Sequence, residues 1–171
     1  MKAKRKDGVT LTDCKSSDRR TALEKDIEAY SDTILRIAVQ NTKNYHDAED
    51  VVQEVFIRLM KNYDDFESAE HKKAWLIRVA INLCRDINRS SRFKAIEPVE
   101  NYPCFYDDKL KSCEIIEMIR KLPESKRNAV YLFYFEGYSI NEIAEITGRN
   151  AKSVGSDLHR ARKQLKLEME D

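Results

Sequence analysis

From Ile27 to Leu165 the apolar residues recur at three- and four-residue intervals, which places them along one side of a succession of α-helices. Ile27, Tyr30, Ile34, Ile37 and Ala38 form one stripe. Ala48, Val51, Val52, Val55, Phe56, Leu59 and Met60 form a second, with Asp47, Glu49 and Asp50 in its first turn, where they favour the helix dipole. Trp75, Leu76, Val79, Ala80, Leu83 and Ile87 form a third, on a helix expected from about Lys72 to Arg92. These stripes find cover only against one another, so the three helices form one bundle. Further along, Ile115, Ile116 and Ile119 mark a helix stopped before Pro123. Ala129, Val130, Phe133 and Tyr134 mark the next, Ile140, Ile143 and Ala144 another. After a break at Gly148 come Val154, Leu158, Ala161 and Leu165. With 4 Gly and 3 Pro in 171 residues, turn formers are scarce.

The expected fold class is therefore all-α, with two small helical domains. The first is a three- to four-helix bundle over residues 21–94; the second is a four-helix unit over residues 111–171. A flexible linker, residues 95–110, holds Pro98, Pro103 and the Asp107–Asp108 pair. Residues 1–20 are polar and read as a mobile tail whose Lys2, Lys4, Arg5 and Lys6 are a solvated basic run.

The net charge of +1 conceals a segregated distribution. Between Asn44 and Glu70 eight acidic residues face only Arg58 and Lys61. Between His71 and Lys94 seven basic residues face Asp86 alone, and between Arg149 and Lys166 six face Asp157 alone. Two surfaces are thus suited to a polyanion and one to a different partner. No apolar run approaches the ~20 residues of a membrane span, and no apolar segment follows the basic start as in a secretory signal. The chain is expected in the cytoplasm, without membrane insertion. Cys14, Cys84, Cys104 and Cys113 form no Cys-x-x-Cys pair, and His46, His71 and His159 are scattered. Reduced thiols and no metal site are expected. No cofactor, catalytic residue or small-molecule substrate is expected either: there is no Gly-rich phosphate loop and no nucleophile pattern.

Ser139 to Lys166 reads as a helix-turn-helix. Ser139 caps a helix with Glu142 at its third position, a capping-box arrangement. Gly148 stands where the turn needs a left-handed residue, and Ala144 is small where the helices cross. At ~100° per residue, Arg149, Lys152, Ser153, Ser156, Arg160 and Lys163 cluster opposite Val154, Leu158 and Ala161. Such a ridge fits a major groove. On the Lys72–Arg92 helix, Arg78, Asn82, Arg85, Arg89 and Arg92 fall within about 80° of arc, opposite the apolar stripe. Asn82 can read a base edge, the arginines can hold phosphate or stack, and Trp75 is placed either to stack on an unpaired base or to sit in the core. Asp50, Gln53 and Glu54 disfavour DNA and point to a protein partner.

These residues resemble a known family. Asp47-Ala48-Glu49-Asp50-Val51-Val52-Gln53-Glu54-Val55-Phe56-Ile57-Arg58-Leu59 is similar to the core-polymerase-binding helix of bacterial sigma-70 superfamily factors. Ala74-Trp75-Leu76-Ile77-Arg78-Val79-Ala80-Ile81-Asn82-Leu83, with Asp86 and Arg89, is similar to their promoter-melting helix. Leu122-Pro123-Glu124, Glu142-Ile143-Ala144-Glu145 and Arg160-Ala161-Arg162 resemble their C-terminal domain. The resemblance runs from about Thr21 to Lys166, and its two-domain extent points to the extracytoplasmic-function (ECF) group. It implies that Asp50, Gln53, Glu54 and Arg58 meet the β′ clamp helices of core RNA polymerase. It implies that Trp75, Arg78, Asn82, Arg85 and Arg89, with the loop 62–70, grip the melted −10 strand. Arg149, Lys152, Ser153, Ser156, His159, Arg160 and Lys163 would read duplex −35 DNA. The β flap and an anti-sigma factor are further implied partners. Gly155 and Asp157 depart from the basic residues common in relatives. A helix-turn-helix regulator acting without polymerase is the competing reading, but it leaves the acidic helix and the Trp75–Arg89 pattern without a role.

Overall fold

In the computed structural model, the backbone of residues 11–90 and 113–170 is described, with side chains over 19–90 and 116–166. Among the described residues the regular structure is helical, without strands. Helix α1 spans Leu11–Asn41, α2 Tyr45–Lys61 and α3 Ala69–Ser90, with a short 3-10 turn at Tyr63–Asp65 between the last two. Then follow α4 (Cys113–Lys121), α5 (Glu124–Tyr134), α6 (Ile140–Thr147) and α7 (Ala151–Glu170). Helices α1, α2 and α3 pack on one another as the first unit, and α4 to α7 as the second.

Local chemistry sets several of the boundaries. Asn44 is extended at φ −146° and accepts the Asp47 amide at 2.8 Å, while its own amide donates to the Asp47 carboxylate at 2.9 Å. This reciprocal cap starts α2. At its other end the Asn62 amide side chain donates to the Arg58 carbonyl at 2.8 Å. Ser139 and Glu142 form the expected capping box. Gly148 takes the left-handed conformation at φ 67°, and the Arg149 amide returns to the Ala144 carbonyl at 2.9 Å, closing α6. Two residues later the Asn150 side chain accepts the Ser153 amide at 2.7 Å and opens α7.

The bundle core holds Ile34, Ile37, Ala38, Ala48, Val51, Val55, Leu59, Leu76, Ala80 and Leu83. Burying each of the larger ones contributes roughly 1.5–3 kcal/mol. In the second unit Ile143, Val154, Leu158 and Ala161 close the helix-turn-helix against Ala129 and Leu132.

Three departures from the sequence reading have physical causes. Helix α1 begins at Leu11, inside the segment expected to be a tail; its first turns are polar, so the apolar periodicity that marks the rest of the helix is absent there. Helix α3 begins at Ala69, because the Ser68 hydroxyl accepts the His71 amide at 3.0 Å and starts it one turn early. It is also buried over a wider sector, with Ile77, Ile81 and Cys84 joining the stripe, since α3 packs on α6 as well as on α1 and α2. The expected linker, residues 95–110, lies outside the described residues.

Gly155 lies in the interior of α7, and a Cβ there would meet only the Ile140 Cδ1 at 3.8 Å, an ordinary contact. The glycine therefore costs helix propensity that no close approach requires. Gly155→Ala should raise stability by about 0.5–1 kcal/mol. A thermal melt followed by circular dichroism checks this; a lowered midpoint would mean that α6 and α7 need the closer approach.

Candidate nucleic-acid interface

Helix α7 turns Val154, Leu158 and Ala161 inward, which leaves Lys152, Ser156, His159, Arg160 and Lys163 exposed on the outside; Ser153 is half-buried. Arg149 departs from the expected face. It precedes α7, and its guanidinium pairs with the Asp157 carboxylate at 2.6 Å, both groups largely shielded. This pair accounts for Asp157: its charge is matched within the protein, so the exposed ridge stays basic. Arg162 lies 5.8 Å from the Phe133 ring and 5.7 Å from the Tyr134 ring.

On α3, Arg78, Asn82 and Arg89 are exposed and Arg85 half-exposed, opposite Leu76, Ala80 and Leu83 as the periodicity requires. The Arg85 guanidinium donates to the Asn82 side-chain oxygen at 3.1 Å, which joins the two residues into one polar surface. Trp75 is half-buried and edge-on to Phe66, with ring centroids 5.1 Å apart, and Phe66 meets His71 at 5.8 Å. Part of the indole remains accessible at the rim where the α2–α3 loop meets α3.

That loop is tied down. Asp26 on α1 accepts the Tyr63 hydroxyl at 2.7 Å and the Lys72 ammonium at 2.6 Å, and the ammonium also lies 4.7 Å from the Tyr63 ring centroid. Burial, then the hydrogen bond and charge of Asp26, raise the Tyr63 pKa. For Lys72 burial alone acts downward, but Asp26 outweighs it and the net shift is upward. Both protons are thus held through neutral pH, and their part in the anchor is lost as pH rises through the raised values.

The third face is the outside of α2. Asp50 and Gln53 are exposed; Glu54 pairs with Arg58 at 2.8 Å, and Asp50 lies 3.8 Å from His46. Between them stand Ile57, 44% exposed, and Met60, 54% exposed. The sequence reading placed Met60 in the core stripe and gave Ile57 no binding role. Their signal was legible: both lie out of register with Val51, Val55 and Leu59. An apolar pair within an acidic face is suited to a protein partner.

With these faces in place, the comparisons with known proteins are decisive. The family model described as sigma-70 region 2 matches residues 27–93, and that described as sigma-70 region 4 matches residues 114–165. The chain is 30% identical over 138 residues to RNA polymerase sigma factor SigV of Bacillus subtilis, covering 78% of this chain and 82% of the relative. The chain belongs to the sigma-70 family. Within it the relatives are of the ECF group. ECF RNA polymerase sigma factor SigW of Bacillus subtilis is 29% identical over 163 residues, covering 85% of this chain and 87% of that one. ECF RNA polymerase sigma factor EcfG of Rhodopseudomonas palustris is 30% identical over 154 residues, covering 84% and 83%. Sigma factors of this family bind core RNA polymerase and direct it to promoters. The fold matches that of the sigma factor RpoE solved with the anti-sigma factor NepR from Bartonella quintana. There the TM-score is 0.71 at 24% identity, covering 86% of this chain and 96% of that one. Among the described residues no helix is long and apolar enough to cross a membrane, and no group of His, Cys, Asp and Glu could hold a metal ion.

Asp26→Asn removes the carboxylate that holds both Tyr63 and Lys72. It should cost about 1–2 kcal/mol, the range for a hydrogen bond to a charged group reduced by partial exposure. Hydrogen exchange in residues 62–68 should quicken while α1 and α2 stay protected. Unchanged exchange in the loop would mean that Phe66 and Trp75 alone hold it.

Proposed function

We propose that this sigma factor uses its three faces for three tasks. The outer face of α2, with Asp50, Gln53, Glu54, Arg58, Ile57 and Met60, docks on the β′ clamp helices of core polymerase. The face of α3 with Trp75, Arg78, Asn82, Arg85 and Arg89 receives the unpaired −10 strand together with the loop 62–68. The ridge of α7 with Lys152, Ser153, Ser156, His159, Arg160 and Lys163 reads −35 duplex, while Arg149 positions Asp157 rather than DNA. In this reading residues 21–94 carry core and −10 binding, 95–110 link the units, and 111–171 carry −35 binding and contact the β flap. The protein has no chemistry of its own and works in the cytoplasm, where the polymerase is. The solved complex of the sigma factor RpoE with the anti-sigma factor NepR supports a protein inhibitor as a further partner.

The observation that carries this reading is the acidic and apolar face of α2 standing beside two basic faces in one chain. A duplex-binding regulator needs only α6 and α7. Strand capture at Trp75 is reasonable on energetic grounds, because stacking a base on an aromatic ring contributes about 1–3 kcal/mol. That is of the same size as the few kcal/mol needed to unstack it.

Gln53→Ala combined with Ile57→Asp tests the polymerase contact. Both residues are exposed, so the melting curve should not move. Affinity for core polymerase should fall by about 10- to 100-fold, the equivalent of failing to bury one large apolar side chain. Unchanged affinity, measured by fluorescence titration with core enzyme, would remove α2 from the interface.

A further inference from the structure

Helix α1 supplies none of the three faces, yet it touches the α2–α3 loop at its entry, its body and its exit. The loop has little apolar packing of its own. Tyr63 and Phe66 are half-buried, while Asp64, Asp65, Glu67 and Ser68 are exposed. A segment with so few buried contacts opens locally at low cost unless something outside it holds it. At the entry, Arg19 donates to the Met60 carbonyl at 3.1 Å, pairs with Asp64 at 3.6 Å and lies 5.9 Å from the Tyr63 ring centroid. In the middle, Asp26 accepts from Tyr63 and from Lys72. At the exit, the Tyr30 hydroxyl reaches the Ala69 carbonyl at 3.5 Å. Arg19, Asp26 and Tyr30 are seven and four residues apart, so at ~100° per residue they lie along one line of α1.

The three contacts are unequal. The Arg19–Asp64 pair is exposed and contributes little. The Tyr30 contact is long for a hydroxyl donor. Asp26 is the strong member, because its side chain is 15% exposed, that of Lys72 is 16% exposed, and the bond between them is charge-assisted. What Asp26 joins decides its importance. Tyr63 stands three residues before Phe66, and Lys72 three residues before Trp75 on the same helix. Phe66 and Trp75 meet edge-on. By tying Tyr63 to Lys72, the carboxylate therefore sets how the loop ring stands against the indole. It also turns the Lys72 ammonium inward, onto the Tyr63 ring and away from any strand along α3. Asp26 itself is shielded from that strand, so it acts through its two partners.

We propose that Asp26 is a positioning residue for −10 strand capture: by bridging Tyr63 and Lys72 it holds the loop 62–68 and Trp75 in their receiving arrangement before the DNA arrives. A preformed loop binds without the cost of being ordered, whereas a loosened one must meet that cost at the moment of capture. The inference rests on the assignment of α3 and the loop to the −10 strand.

The test uses holoenzyme assembled from core polymerase and the full chain. The probe is a promoter fragment selected from a pool for activity, supplied as duplex and with its −10 region left unpaired. Asp26→Ala should bind core polymerase as the unaltered protein does. Its Kd for the pre-opened fragment should rise on the order of tenfold if the unanchored loop keeps its present geometry in about one molecule in ten. Permanganate-reactive thymines on the duplex should fall with it. Tyr63→Phe keeps the ring, loses one of the two bonds and should weaken capture in the same direction by a smaller factor; it carries the test alone if Asp26→Ala does not fold. Ile34→Val lowers the melting temperature through the bundle core, away from the loop, and should leave capture unchanged. Full affinity of Asp26→Ala for the pre-opened fragment overturns the proposal, whether or not hydrogen exchange in the loop quickens. Equal losses in Asp26→Ala and Ile34→Val overturn it too, since the effect is then one of stability alone. Arg78→Ala with Asn82→Ala separates the two levels of the argument. If this pair weakens capture and the Asp26 variant does not, only the positioning role fails. If the pair leaves capture intact, the assignment of α3 to the strand has failed and the role of Asp26 falls with it.

Discussion

Burial of Leu76, Ala80 and Leu83 against α1 and α2 is the constraint on which the rest of this molecule depends. It fixes the rotation of α3, and at ~100° per residue that rotation leaves Arg78, Asn82, Arg85 and Arg89 nowhere to point but outward. The same packing sets the distance from α3 to Asp26, and so the anchor that holds Tyr63 and Lys72 and brings Phe66 beside Trp75. The basic face, the aromatic rim and the loop between them are consequences of one apolar stripe. Cys84 lies beside this stripe, toward the second unit, and burial pushes its thiol pKa up to about 12, so it behaves as a small apolar side chain.

The helix-turn-helix follows a parallel logic with different means. Its turn depends on one left-handed residue, Gly148, and one capping box at Ser139 and Glu142. The hydroxyl and amide of Ser139 hold the Glu142 carboxyl below its usual range. Asp157, which looks out of place on a DNA-reading helix, is neutralised by Arg149. The result is a ridge whose charge is set partly by a residue that never reaches the ridge.

Much of this was legible in the sequence because it is local. Periodicity located the helices from Ile27 onward, and the spacing from Ser139 to Gly148 located the turn. What the sequence did not disclose depends on pairs far apart in the chain. Asp26 and Lys72, Arg149 and Asp157, Arg78 and the end of α6 carry no mark of their partners. The polar start of α1 has no apolar stripe to announce it. Ile57 and Met60 remain outside, as their register against Val51, Val55 and Leu59 allows, although the sequence reading counts Met60 with the core stripe. Arg78 and Arg85 were expected to be free for DNA; the structure keeps them at the surface and supplies each with a partner from the second unit.

The central claim is that this chain directs core RNA polymerase to promoters through two DNA-reading faces. Transcription in vitro from a pool of promoter fragments, with start sites sequenced, tests it most directly. Core enzyme with this protein should start at a defined set of positions, each preceded by a shared pair of −35 and −10 sequences, and core enzyme alone should not. Start sites that are the same with and without the protein would contradict the account.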